Sequence, residues 1–213
     1  MVNKDAVRRG YDELADVHAA QRTENDRGME ILAGVLDSLS AGTHVLDAGC
    51  GQGTPVLSEL STSATATGVD FSRGQLRLAA ENAPCASLVQ GDMTTLPFNS
   101  SSFDAVVAYW SLIHVPMADH RTVVDEFARV LRPGGRLLVC EGTHEWVGEN
   151  PDWLDSGVRM EWEIAGAETT GDQLRDAGFA VVDTWGVPSS LEADRRSEEE
   201  DAPWTFFSAR LDA

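Results

Sequence analysis

The sequence predicts a doubly wound α/β domain: a mostly parallel sheet with helices on both faces and a helical extension ahead of it. Three observations carry this. Short apolar runs rich in Val, Leu and Ala alternate with segments of helical periodicity between residues 43 and 141. A glycine-rich turn follows the first run, and Pro133-Gly134-Gly135 breaks the chain before the last. Parallel strands need a returning helix between them, and that crossover is right-handed, so the alternation places helices on both faces. At 213 residues and 42% hydrophobic composition, the chain is one domain long and can bury a core.

The elements follow in order. Val7, Tyr11, Leu14 and His18 recur at helical spacing, and Ile31, Leu32, Val35, Leu36 and Leu39 form a second stripe, so residues 1–40 read as a helical cap. Strands are expected at Thr43–Ala48, Ala66–Asp70, Ala86–Gln90, Phe103–Ala108 and Arg136–Glu141, with helices at Pro55–Leu60, Arg73–Asn82 and Ala118–Leu131. Proline bars the last helix from continuing and glycine supplies the turn. The alternation lapses from 143 to 169, a segment holding Trp146, Trp153 and Trp162 at irregular spacing; it reads either as a roof over a substrate pocket or as a cover for the sheet edge. Gly171–Ala177 then predicts a helix, and Phe179–Val187 and Trp204–Leu211 two more strands. The acidic run Ser197–Asp201 reads as a solvated loop.

Composition excludes several classes of partner. There are 35 acidic residues against 16 basic ones, a formal net charge of −19, and Lys4 is the only lysine beside fifteen arginines. Such a surface repels phosphate backbones and anionic headgroups, which argues against nucleic-acid and membrane partners. It is similar to the lysine-poor acidic surfaces of halophilic proteins, whose repulsion dense counterions screen. Cys50, Cys85 and Cys140 form no CxxC pair and are odd in number, against both a disulfide framework and a zinc site. With no apolar leader and no apolar run long enough to span a bilayer, a cytoplasmic protein is expected.

In a doubly wound sheet, ligands bind beyond the carboxyl ends of the strands. There the first strand gives Asp47-Ala48-Gly49-Cys50-Gly51-Gln52-Gly53. Its glycines allow positive φ and close approach of backbone to a ligand, although such a turn also serves simply to join strand to helix. A dinucleotide fingerprint counted from Gly49 needs a third glycine where Thr54 stands, and Asp47 would repel a pyrophosphate while attracting an amino group. Asp70, ending the second strand, can accept from both hydroxyls of a ribose, or cap the following helix. Asp92 can accept from the exocyclic amine of adenine while Phe71 and Met93 cover the ring. The three acids therefore match amine, sugar and base of one small molecule.

Val45–Gly53 resembles the first motif of class I S-adenosylmethionine-dependent methyltransferases. Gly68–Ser72 resembles their second-strand acidic motif, Gly91–Phe98 their adenine-binding segment, and Phe103–Ala108 with Leu131–Leu137 their fourth strand and the turn before the fifth. The resemblance implies a Rossmann-like methyltransferase fold of seven strands, the last antiparallel, with S-adenosylmethionine as cofactor. Tyr11–Ala15 resembles the helix that closes over the cofactor in ubiquinone-biosynthesis-type members, with His18 where a second aromatic is usual. The cofactor-binding residues implied are Tyr11, Asp47, Gly49, Gly51, Asp70, Phe71, Gln75, Asp92, Met93 and Tyr109, with no metal.

Methyl transfer needs an in-line geometry and, for hydroxyl, amine or acidic-carbon acceptors, a base. His114 follows the fourth strand at the mouth of the site and is the first candidate. Glu141, at the tip of the fifth strand, is the second, with His144 behind it. The expected function is methyl transfer to a small-molecule acceptor. The alternative is a non-catalytic cofactor-binding or regulatory protein; a dinucleotide oxidoreductase and an RNA methyltransferase are disfavoured by Thr54 with Asp47 and by charge.

Overall fold

The computed structural model describes residues 2–21, 27–40, 42–187 and 203–212. The acidic run 197–201 lies outside them. Three helices lead, α1 (Lys4–Glu13), α2 (Ala15–Gln21) and α3 (Arg27–Asp37). The alternating body follows: β1 (His44–Ala48), α4 (Val56–Ser63), β2 (Thr65–Asp70), α5 (Arg73–Asn82), β3 (Ser87–Gln90) and β4 (Phe103–Ala108). A 3₁₀ turn, Leu112–His114, leads to α6 (Met117–Val130) and β5 (Leu131–Gly142). Beyond it lie β6 (Trp146–Trp153), β7 (Val158–Ile164), α7 (Ala167–Asp176), β8 (Phe179–Val187) and β9 (Trp204–Leu211).

Seven strands form one sheet in the order β3-β2-β1-β4-β5-β9-β8. Pairings from β3 to β5 are parallel, and β9 runs antiparallel to both its neighbours. Alternation along the strands sorts the core into two layers. Leu46, Val106, Leu137 and Val139 pack with Val123, Val124 and Phe127 of α6 and Leu174 of α7. Val45, Ala105, Val107, Leu138 and Cys140 pack with Ile31, Leu32 and Val35 of α3 and Val56, Leu57 and Leu60 of α4. The sheet order reverses between β1 and β4, and the carboxyl ends there define the ligand edge.

The segment 143–169 differs from the irregular stretch expected. It contains an antiparallel two-stranded ribbon, β6–β7, outside the main sheet. Leu154 and Asp155 take positive φ at its turn, and the pairing shifts register between Asn150 and Trp153, around Pro151. Proline has no N–H to offer a ladder, which breaks the period there. The ribbon packs on α1: Trp153, Val158 and Met160 form a small third core with Val2, Val7 and Leu14. Two carboxylates of β7 reach the start of the chain, Glu163 accepting Val2 N–H at 2.6 Å and Glu161 accepting Asn3 N–H at 3.0 Å. A Cβ built on Gly10 would stand 2.6 Å from Met160 Sδ, so a side chain there would have to displace Met160 for α1 to lie this close. No helix among the described residues is long and apolar enough to cross a membrane.

Candidate functional site

A cleft opens at the carboxyl edge of β1, β2 and β4, roofed by α1. Tyr11, Gly49, Gly51, Asp70, Phe71, Gln75, Asp92, Met93, Tyr109 and His114 all line it. The glycine loop takes φ of +78° at Gly49, +53° at Gly51 and +89° at Gly53. A Cβ on Gly49 would meet that of Ser111 at 2.3 Å, so the loop needs glycine there to pass the turn after β4.

Asp70 ends β2 and binds the loop directly. Its Oδ2 accepts Gly51 N–H and its Oδ1 accepts Ser72 N–H, both at 2.8 Å. Burial pushes its carboxyl up to about 6 against those hydrogen bonds, with Asp12 adding a like charge. Each oxygen retains a second lone pair for hydroxyls of a ligand.

Asp92 lies beyond β3. Its Oδ1 accepts from Thr94 N–H and Oγ1, each at 2.8 Å, and its Oδ2 takes Lys4 Nζ at 2.9 Å. Burial acts to raise its carboxyl but is outweighed by Lys4 and Thr94, which hold it below the usual range. Lys4, from α1, thus forms part of the wall at this end of the cleft.

At the other end, Tyr11 Oη lies 2.7 Å from His114 Nε2. The Tyr11 ring also meets His18 and Trp153 edge-on, at centroid distances of 5.3 and 5.7 Å. Trp162 joins Trp153 at 5.5 Å. Trp153 braces Tyr11 from behind, and Trp162 packs near Trp153 and His114, the latter at 6.0 Å; neither tryptophan lines the cleft. Asp12, next to Tyr11, ties α1 to α5 through Ser72 Oγ at 2.8 Å and Gly74 N–H at 2.9 Å.

Three candidates from the sequence lie elsewhere. Asp47 is 1% exposed and Glu141 0% exposed, and neither lines the cleft. Asp47 stands one residue before the end of β1, which falls at Ala48 as expected, whereas Glu141, expected as the last residue of its strand, is followed in β5 by Gly142. A residue one step inside a strand projects to a face of the sheet rather than off its end. Asp47 therefore sits among the strands near Cys50, whose thiol burial and then the Asp47 charge push well above its ordinary value. Glu141 projects toward α6. His144 is exposed and away from the cleft.

Lys4 and His18, not expected in the site, line the same cleft, as do Trp110 and Ser111 of the segment after the fourth strand, which was expected to supply carbonyl oxygens and aromatic faces to a sulfonium. Trp110 takes φ of +56°, uncommon for a bulky residue and found where a site constrains the chain. Its Nε1 and the Oε1 of Gln75 are buried without a hydrogen-bond partner among the described residues. An orphaned donor and acceptor beside a carboxylate pair suit a ligand with polar groups at both ends, as the amino-acid portion and the adenosine of S-adenosylmethionine require.

Comparison with known proteins agrees. The methyltransferase domain family model matches residues 46–139. A demethylmenaquinone methyltransferase of Paenarthrobacter aurescens is 33% identical, over 92% of this chain and 85% of that protein. The O-methyltransferase cnsE of Penicillium expansum is 32% identical over 74% of this chain. The first curated relatives are longer, and the matches span 59%, 58% and 42% of their lengths. Among solved structures, the [4+2]-cyclase SpnF superposes with a TM-score of 0.72 at 24% identity, covering 97% of this chain and 95% of that one. The N-methyltransferase NodS of Bradyrhizobium japonicum, solved with S-adenosylhomocysteine, gives 0.64 at 18%, covering 87% and 85%. At these identities the two structures share the fold.

Proposed function

Because this chain belongs to the class I S-adenosylmethionine-dependent methyltransferase family, we propose that it transfers a methyl group from S-adenosylmethionine to a small molecule bearing a hydroxyl or an acidic carbon. The observation that carries this reading is the Tyr11–His114 pair at 2.7 Å, sharing one cleft with Asp70 and Asp92. When bound, the cofactor supplies an electrophilic methyl group. Asp70 accepts from the ribose hydroxyls and Asp92 from the adenine amine, with Phe71 and Met93 against the ring. Gly49 and Gly51 let the backbone approach, while Gln75 Oε1 and Trp110 Nε1 receive the amino and carboxylate groups. Roofing by α1 excludes water.

His114 is the general base. With its own proton on Nδ1, its Nε2 accepts from the Tyr11 hydroxyl, and an acceptor hydroxyl that takes the place of the Tyr11 hydroxyl at that nitrogen gives up its proton there. The names of the relatives, an O-methyltransferase and a demethylmenaquinone methyltransferase, support an oxygen or carbon acceptor. The strongly negative chain supports a small molecule over a nucleic acid.

Calorimetric titration tests the cofactor: S-adenosylhomocysteine binds and NAD does not. Over a panel of phenolic and quinol acceptors, His114→Asn lowers kcat by about 100-fold or more with S-adenosylhomocysteine affinity unchanged. Tight NAD binding, or a fully active His114→Asn protein, overturns the reading.

A further inference from the structure

Glu141 and His120 meet behind the cleft floor, both side chains 0% exposed. Glu141 stands on the face of β5 that α6 covers, and His120 belongs to α6. Glu141 Oε2 lies 3.6 Å from His120 Nδ1, and neither atom has a hydrogen-bond partner among the described residues. The remaining positions are committed: Glu141 Oε1 accepts Gly142 N–H at 2.9 Å, and His120 Nε2 lies 2.9 Å from the Val115 carbonyl. A carbonyl only accepts, so Nε2 carries a proton and the neutral ring presents a bare Nδ1 to Glu141. A bare carboxylate there would set two acceptors against each other without water, and one proton between them removes the conflict.

We propose that Glu141 is a positioning residue: once protonated, its carboxyl closes the 3.6 Å gap so that its O–H donates to His120 Nδ1, the His120 Nε2–H donates to Val115, and this chain of bonds holds the turn that presents His114. Val115 and His114 are adjacent and both line the cleft. Burial keeps the shared proton in place, pushing Glu141 up to about 8 and holding His120 below its usual range. The other charges facing His120 are Glu163, from β7, and Asp119, on its own helix. Glu163 is itself engaged by Met117 N–H at 2.8 Å and by Val2 N–H. Loss of the proton in alkali breaks the chain of bonds and loosens the turn.

The inference rests on His114 acting as the base, so its test reads the pair separately from turnover. Imidazole ¹⁵N shifts of the intact protein show His120 as a neutral Nε2–H tautomer from pH 6 to pH 8. Glu141→Gln keeps a donor toward Nδ1; its kcat at neutral pH stays within about threefold of wild type and its alkaline decline disappears. Glu141→Leu lowers kcat about tenfold or more with S-adenosylhomocysteine affinity unchanged, as expected for a displaced base. An Nδ1–H tautomer overturns the pair, as does Glu141→Leu with wild-type kcat and pH profile. If Glu141→Leu does not fold, the wild-type tautomer and the Glu141→Gln profile decide. Wild-type protein that transfers no methyl group sinks the reading of His114 and with it the purpose of the pair, whatever the tautomer.

Discussion

On the proposed reading, folding and ribose binding pull on the Asp70 proton in opposite directions. Buried and beside Asp12, its carboxyl is raised from 3.8 to about 6. A carboxyl raised on folding contributes stability that is complete below pH 4 or so and is lost as pH rises through about 6. Gripping a ribose needs the ionised form, which accepts from hydroxyls. Affinity for S-adenosylhomocysteine is therefore expected to fall about tenfold between pH 7 and pH 5, read by titration calorimetry. Asp70→Asn is expected to weaken binding about 10- to 100-fold at pH 7, the worth of hydrogen bonds to a charged acceptor. A flat pH profile counts against Asp70 as the grip. This residue was legible in the sequence because it ends β2, and Asp92 because it lies past β3. Asp47 and Glu141 stand apart from the cleft lining because each lies one residue before the end of its strand, where the side chain projects to a face of the sheet.

Among the elements, the body from β1 to β5 was legible because burial on both faces writes near-continuous apolar runs. Phe103–Ala108, Arg73–Asn82, Phe179–Val187 and Trp204–Leu211 fall where the pattern puts them. The ribbon was missed, although β7 carries a period-2 signal, with Val158, Met160, Trp162 and Ile164 alternating with Arg159, Glu161 and Glu163. Asn150–Pro151 and the register shift hid its partner strand. The sequence could not show that this ribbon clamps α1, because the contact joins segments some 150 residues apart. Gly10→Val tests the clamp: forcing a larger group against Met160 costs about 1–3 kcal/mol, lowering Tm and weakening S-adenosylhomocysteine binding together. Gly34→Ala is the contrasting control in α3. Its added methyl meets nothing within 4 Å, so Tm is expected to rise by the equivalent of about 0.5–1 kcal/mol.

At the scale of the molecule, electrostatics is dominated by excess acid. Many arginines are spoken for by neighbouring carboxylates: Arg8 pairs with Asp12, Arg77 with Asp16, Arg121 with Asp125, Arg129 with Glu126 and Arg175 with Asp172. Such exposed pairs contribute little individually. The unpaired acids repel one another over the Debye length, about 10 Å at 0.1 M salt and 3 Å at 1 M. Thermal melts are accordingly expected to shift upward by several degrees between those salt concentrations. A Tm indifferent to ionic strength counts against a halophilic surface.

The bonds from Val2 and Asn3 to Glu163 and Glu161 bear on how the protein is made. A ribosome adds about 5–20 residues per second, so the leading helix emerges on the order of ten seconds before the hairpin that receives it. During that interval Val7 and Leu14 have no hydrophobic seat in the third core. The leading helix is therefore made long before it can dock, and the nascent chain carries its own lid undocked until the hairpin arrives.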